Sequence, residues 1–182
     1  MHQSVTVFCG SRFGNDPLYV EHAKELGKLL AENNITLIYG GGNNGLMGAV
    51  ANAVLENNGK VTGVIPEMLI NREVQHESLT ALHIVSDMHE RKKLLFKFAE
   101  AAIILPGGNG TLDEMFEIMT WNQLTIHNKK IILLNTAGYY NNLIAHLVQM
   151  QKEGFLYENW QTMVDIYTTP GAVIAGLVED KN

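Results

Sequence analysis

Residues 101–115, AAIILPGGNGTLDEM, pass from an unbroken apolar run into a glycine-rich turn and then into a helical pattern. Five apolar residues without polar alternation form a strand buried on both faces, as in a parallel sheet. Pro106 ends that strand, since proline has no N–H to give to a ladder. Gly107, Gly108 and Gly110 shape the turn, and Thr111 is placed to cap the helix that follows. Such a turn aims backbone N–H groups and the positive end of the helix dipole at whatever lies above it, which suits a phosphate or another anion. Asp113 and Glu114 follow at once, so a carboxylate stands beside a place built for a negative ligand.

The same alternation fills the rest of the chain. Strands read at 4–9, 35–39, 60–65, 81–85, 101–105, 130–134 and 163–167, and helices at 17–32, 45–57, 88–100, 111–124, 139–152 and 171–179. Apolar strands alternating with helices predict an α/β fold: a Rossmann-like, doubly wound, mainly parallel sheet of about seven strands with helices on both faces. At 182 residues the chain can build one sizeable core and not two ordinary domains, so residues 1–182 read as a single unit. The one long irregular stretch, 66–80, has the length at which loops are often functional. Ligands in such folds bind where the strand-to-helix loops gather, at the carboxyl ends of the strands.

Charge narrows the partners. Asp plus Glu number 19 against 13 Lys plus Arg, a formal net charge of −6. That gives no footprint for nucleic acid or an anionic membrane. The N-terminus, MHQSVTVFCG, has no basic segment leading into a long apolar one, and no apolar run reaches membrane-spanning length, so a soluble, cytoplasmic protein is expected. Cys9, the only cysteine, rules out an intrachain disulfide framework, as suits a reducing compartment; its expected role is a small buried residue.

Two more strand-to-helix loops carry unusual chemistry. YGGGNNGLMG, 39–48, has three consecutive glycines after a strand and Gly45 at the next helix, at a spacing that fits neither the dinucleotide fingerprint nor the P-loop. A tight turn with Gly48 and small alanines packing a helix closely would account for part of it. A ligand-contacting loop, with Gly41 and Gly42 beside the substrate, accounts for all of it. In DMHERKK, 87–93, Arg91 falls among Met88, Leu95 and Phe98 on one helical face, at the dipole end that disfavours cations. It calls for an anionic partner, a bound phosphate or Glu114; pairing with Asp87 or Glu90 is the structural alternative. Ser11, after the first strand, can donate to the same ligand. T-L-D-E also reads as a capping box, in which Glu114 would reach back to the Thr111 N–H. The helix over 111–124 carries Leu112, Met115, Phe116 and Met119 on one stripe and Glu114, Ile118 and Trp121 nearly opposite, as if covered on both sides. No histidine or cysteine spacing suits a metal, and no G-x-S-x-G elbow is present.

With FCGS, YGGGNNGLMG, GVIP, DMHERK, LPGGNGTLDE, TWNQLTIHNK and LLNTAGYYNNLIAHLVQMQKEGF, the chain resembles the LOG family, the cytokinin riboside 5′-monophosphate phosphoribohydrolases long labelled lysine decarboxylases. The resemblance runs over nearly the whole chain, and PGG-x-G-T-x-x-E with MH-x-RK is its most specific part. It implies a homodimer that hydrolyses the N-glycosidic bond of adenine nucleoside 5′-monophosphates, AMP or N6-modified forms, without a cofactor. Residue by residue it implies Arg91 and Glu114 as the catalytic pair. Substrate contacts would come from Glu73, Lys92, Gly108, Asn109, Gly110, Thr111, Leu112, Asp113 and Thr120. GSRFG, GNG and TIHNKKIILLN depart from the family's commoner GSSxG, GYG or GFG, and GIHxKPVGLLN, away from Arg91 and Glu114. The alternative is a nucleotide binder or carrier of the same fold that cleaves nothing, in which Glu114 is only a cap.

Overall fold

The computed structural model describes residues 2–70 and 75–179. In chain order it contains β1 (Ser4–Phe8), α1 (Pro17–Glu32), β2 (Thr36–Tyr39), α2 (Gly45–Glu56), β3 (Val61–Pro66), β4 (Ala81–Val85), α3 (Met88–Phe98) and β5 (Ala101–Ile104). These are followed by α4 (Asn109–Gln123), β6 (Lys130–Leu134), α5 (Asn141–Lys152), β7 (Asp165–Tyr167) and α6 (Pro170–Glu179). The strands form one sheet in the order β4-β3-β2-β1-β5-β6-β7, with every pair parallel. This is the doubly wound arrangement expected from the apolar runs.

Alternate residues of each strand serve opposite faces. Val5 and Val7 of β1 and Ala101 and Ile103 of β5 pack with Leu26 of α1, Val50 of α2 and Val173 of α6. Phe8, Ala102 and Ile104 pack on the other face with Leu95 and Phe96 of α3, Met115 and Ile118 of α4 and Leu147 of α5. The small residues of α2 allow the close approach read in them: a Cβ on Gly27 of α1 would stand 2.8 Å from that of Ala53. The edge strand β4 is the exception to two-sided cover, with His83 and Ile84 exposed.

Strand order reverses between β1 and β5. The chain leaves β1 for β2 on one side, and enters β5 from the far edge of the sheet by way of α3. A crevice therefore opens beyond the carboxyl ends of these two strands, the switch point at which doubly wound sheets hold ligands. Cys9 to Ser11 follow β1 there, and Leu105 to Gly108 follow β5. The Gly10 N–H donates to the Pro106 carbonyl at 3.0 Å, tying the two loops together.

One helix start differs from expectation. α4 begins at Asn109 with Gly108 at the N-cap, so Thr111 lies inside the first turn and caps nothing from outside. Its side chain is buried and occupies the space a Cβ on Gly107 would need. Glu114 then falls in the second turn, too far along to close a capping box on the Thr111 N–H. Ile118 also moves: it is fully buried beside Met115 and Met119, while Leu112, Phe116 and Trp121 are half-covered.

Candidate active site

A cleft of about 340 Å³ lies over the switch point. Cys9, Gly10 and Ser11 of the first loop line it, as do Gly108, Asn109, Gly110, Thr111, Asp113 and Glu114 of the third, and Met88, Arg91 and Lys92 of α3. Met47 and Leu69 complete the wall. Ser11, Arg91 and the glycine turn with Glu114, read separately from three stretches of sequence, thus share one space.

The α4 end of the cleft is shaped for an anion. Gly108 has no side chain to cap the helix, so the N–H groups of the first turn present their partial positive charge toward the cleft. A Cβ on Gly108 or Gly110 would meet no protein atom within 4 Å, so packing does not demand glycine there and the backbone stands open to the cleft. The turn is held rigidly from behind. The Tyr139 hydroxyl donates to the Gly107 carbonyl and that of Tyr140 to the Leu105 carbonyl, each at 2.6 Å. Burial pushes the Tyr140 phenol well above its ordinary range, so it stays a donor.

The first turn of α3 is satisfied differently. Asp87 accepts from the N–H groups of His89 and Glu90 at 2.8 and 2.9 Å, and Glu90 accepts from the N–H of Ser86 at 3.1 Å. These carboxylates serve the helix end, so the pairing of Arg91 with Asp87 or Glu90 is not what anchors it. Arg91 is 5% exposed and turns under the sheet edge. Its Nε donates to the Val64 carbonyl at 3.2 Å and Nη2 to the Gly40 carbonyl at 3.0 Å. A Cβ on Gly40 would collide with that guanidinium, which explains the first of the three consecutive glycines.

Gly41 and Gly42 do not line the cleft. Gly41 takes a positive φ of 81° and accepts from the His76 N–H at 3.0 Å, and Gly42 bridges to Gln75. The contacts these two glycines make are to Gln75 and His76 at the described end of the arm. Leu112 packs on the core under α4, and Thr120 is exposed, its hydroxyl donating to the Phe116 carbonyl at 2.7 Å, outside the cleft. Glu73 lies outside the described residues.

Lys92 is committed within the protein. Its ammonium lies 2.6 Å from Asp113 and 3.1 Å from Glu117, bracing α3 against α4 beside the two residues expected to do chemistry. Burial lowers its pKa, but the hydrogen bonds to the two carboxylates outweigh it and leave the net shift upward. A Schiff-base lysine needs the reverse, a pKa lowered toward neutrality. Among the described residues that line the cleft Lys92 is the only lysine, and its carboxylate partners and raised pKa do not fit an anchor for pyridoxal phosphate. Cys9 is not set up as a nucleophile: burial first, then the negative charge of Glu114, raises its thiol above the ordinary value.

Sequence reasoning missed Met47 and Leu69 as lining residues, and missed Glu117 entirely. Met47 and Leu69 carried no chemical signal. Glu117 stands one turn after Asp113 on the same helix, and that i, i+4 acidic pair near a lysine-rich helix was the available clue.

A doubly wound parallel sheet with an open glycine-turn helix, a buried arginine and a carboxylate at its switch point defines a Rossmann-like protein with a candidate site in that crevice. The family described as "Possible lysine decarboxylase" matches residues 47–177. A probable cytokinin riboside 5′-monophosphate phosphoribohydrolase of Oryza sativa subsp. japonica is 44% identical over 177 residues, covering 97% of this chain and 77% of its own. The cytokinin riboside 5′-monophosphate phosphoribohydrolase of Rhodococcoides fascians is 45% identical over 85% of this chain and 78% of its own. One from Arabidopsis thaliana is 47% identical over 84% and 71%. Among solved structures, a molybdenum cofactor binding protein of Rippkaea orientalis superposes with a TM-score of 0.73 over 97% of this chain and 96% of its own, at 21% identity, a likeness of fold alone. The chain belongs to the LOG family, to which the label of possible lysine decarboxylase is also attached.

Proposed function

We propose that this protein hydrolyses the N-glycosidic bond of adenine nucleoside 5′-monophosphates, releasing free base and ribose 5-phosphate. The observation that carries the reading is the single cleft in which an uncapped helix N-terminus, for the phosphate, stands within a few residues of a carboxylate, for the sugar. The names of the relatives support it.

The phosphate sits on the N–H groups of Asn109, Gly110 and Thr111, with Gly108 leaving room for its oxygens. Ser11, which borders the cleft from the β1 loop, donates to the nucleotide. As the bond from C1′ to the base nitrogen breaks, the electron pair leaves with the base and positive charge develops on the ribose, in an oxocarbenium-like transition state. Water supplies the hydroxyl that ends on C1′ and the proton that ends on the base. Glu114 meets the developing charge; stabilising it, deprotonating the water and attacking C1′ all require this carboxylate ionised and facing the sugar. Arg91 orients the phosphate or assists departure of the base, its guanidinium fixed in advance by two carbonyls. Lys92 and Asp113 border the same space, and Glu73 is a further substrate contact in this reading.

The protein acts as a cytoplasmic homodimer in this reading. Half-covered Leu112 and Phe116 on one flank of α4 and Trp121 on the other, with exposed Leu124 and Ile126 beyond them, supply apolar surface for a second copy to cover, and Thr120 lies on the flank of Phe116. Sedimentation equilibrium tests the dimer. Among the described residues no helix is long and apolar enough to cross a membrane.

Chromatography of purified protein incubated with AMP and, separately, with isopentenyladenosine 5′-monophosphate tests the reaction. Base and ribose 5-phosphate are expected from both, and the ratio of kcat/KM values ranks the bases. Nucleotide binding without release from either would leave a binder or carrier.

A further inference from the structure

The arm from β3 to β4, PEMLINREVQHESLT, contains one histidine. Loop histidines are ordinarily solvated, whereas His76 is 5% exposed and the chemistry above does not use it. Both ring nitrogens have partners. Nδ1 lies 3.2 Å from the backbone nitrogen of Ser78, whose N–H can only donate, so Nδ1 accepts and bears no proton. The ring proton is therefore on Nε2, which donates to Oδ1 of Asn52 on α2 at 3.0 Å. Nδ2 of Asn52 donates in turn to Oδ1 of Asn43 in the glycine loop at 3.1 Å. The backbone continues the connection, since His76 N–H donates to the Gly41 carbonyl and the Gln75 N–H to the Ile70 carbonyl, at 3.0 and 3.1 Å. Leu69, on the cleft wall, is next to Ile70, and Gly40, whose carbonyl holds Arg91, is next to Gly41.

We infer that His76 is a positioning residue: as its neutral Nε2–H tautomer it pins the arm carrying Leu69 to the glycine loop and α2, and so sets the shape of the cleft in which substrate binds. The inference rests on the hydrolytic reading above. A proton added at Nδ1 would turn an acceptor into a donor facing the Ser78 N–H, and would place a charge where water is excluded. Of the elements packed around the ring, α2 brings one ionisable side chain, Glu56, the glycine loop brings Tyr39, and the described part of the arm brings Glu67 and Glu77. None of these weighs on the ring, and burial is what lowers its pKa.

Two variants and a readout independent of turnover test this. His76→Leu removes both ring contacts. His76→Asn keeps an acceptor for the N–H two residues on, as in an Asx turn, and does not titrate. With AMP as substrate, His76→Leu is expected to raise KM at least about tenfold with a smaller change in kcat, and His76→Asn to recover most of that loss. The wild-type KM should rise more steeply as pH falls than that of His76→Asn, which lacks the imidazole and keeps the titration of the substrate phosphate. Hydrogen exchange at the residue 76 amide, corrected for intrinsic rate, should quicken about tenfold or more in His76→Leu. KM within twofold of wild type in His76→Leu, or an identical acid limb in wild type and His76→Asn, would overturn the assignment. If the wild-type protein releases no base, the hydrolytic reading fails by itself. The exchange rates still decide the anchor then, and unchanged protection at residue 76 in His76→Leu refutes it.

Discussion

The brace from Lys92 to Glu117 makes a quantitative prediction that does not depend on activity. Unit charges about 4 Å apart attract by about 4 kcal/mol at the effective dielectric near a protein surface, before desolvation is subtracted. Lys92 and Glu117 are mostly covered, with side chains 16% and 25% exposed, so both desolvation and attraction are substantial. Asp113 is 61% exposed and adds little. Coupling between contacting groups runs at about 0.5–3 kcal/mol, so a double-mutant cycle of Lys92→Met with Glu117→Gln should give about 1–2 kcal/mol. The same cycle with Asp113→Asn should give under about 0.5 kcal/mol. Lys92→Met alone leaves a largely covered carboxylate without its cation and should cost about 2–3 kcal/mol, a fall in Tm of about 4–12 °C in a chain of this size. Urea denaturation of the four proteins measures the cycle. The sign with pH follows from the raised Lys92 pKa. Stabilisation is complete below the ordinary lysine value near 10.5 and is lost as pH rises through the higher folded value, so the coupling should be equal at pH 7 and pH 9. Additivity within about 0.3 kcal/mol would show that the two helices are not braced through Lys92.

Glu114→Gln should fold with a Tm close to wild type, because Gly108 holds the cap position, yet lose about a hundredfold or more of kcat; retained turnover would remove Glu114 from the chemistry. Gly40→Ala places a methyl group against the Arg91 guanidinium and should cost about 1–3 kcal/mol together with most of kcat/KM, whereas Gly110→Ala, which meets no protein atom, should weaken substrate binding with less loss of stability. Comparing the two variants by calorimetry and steady-state kinetics would expose an error if their order were reversed. Cys9, buried and with its thiol pushed up, should not react with a thiol reagent at pH 8 in the native protein and should react once per chain in denaturant; rapid native labelling would contradict its burial.

All seven strands and six helices were legible because each apolar run ends at glycine, proline or a polar turn. What failed was local and specific. T-L-D-E matches a capping box so well that it drew the start of α4 to Thr111, although the space above Gly107 wants the threonine side chain inside and leaves the cap to Gly108. Arg91 could be recognised as needing partners from its place on the dipole. That those partners include the Gly40 and Val64 carbonyls, 51 and 27 residues away, is a property of strand order. The glycine triplet was read as a ligand loop when its first member makes room for Arg91 and the next two contact Gln75 and His76 of the arm. His76 showed nothing in sequence, since its meaning lies in Asn52 and Asn43 across the fold.

The charges gathered at the switch point carry a consequence for selection among phosphates. Arg91 and Lys92 stand with Asp113, Glu114 and Glu117, two cations among three carboxylates, in a chain that is itself net negative. Net charge does not draw anions in from a distance, and the peptide dipoles at the start of α4, to which the proposed reading assigns the phosphate, act only within about one helical turn. In the proposed reading one phosphoryl group is accommodated by that short-range field, while the further groups of a di- or triphosphate would approach the carboxylates of Asp113, Glu114 and Glu117. The proposed reading therefore carries a selection by phosphorylation level that comes from what the cleft withholds, so AMP is expected to be cleaved in preference to ADP and ATP when each is incubated with the protein.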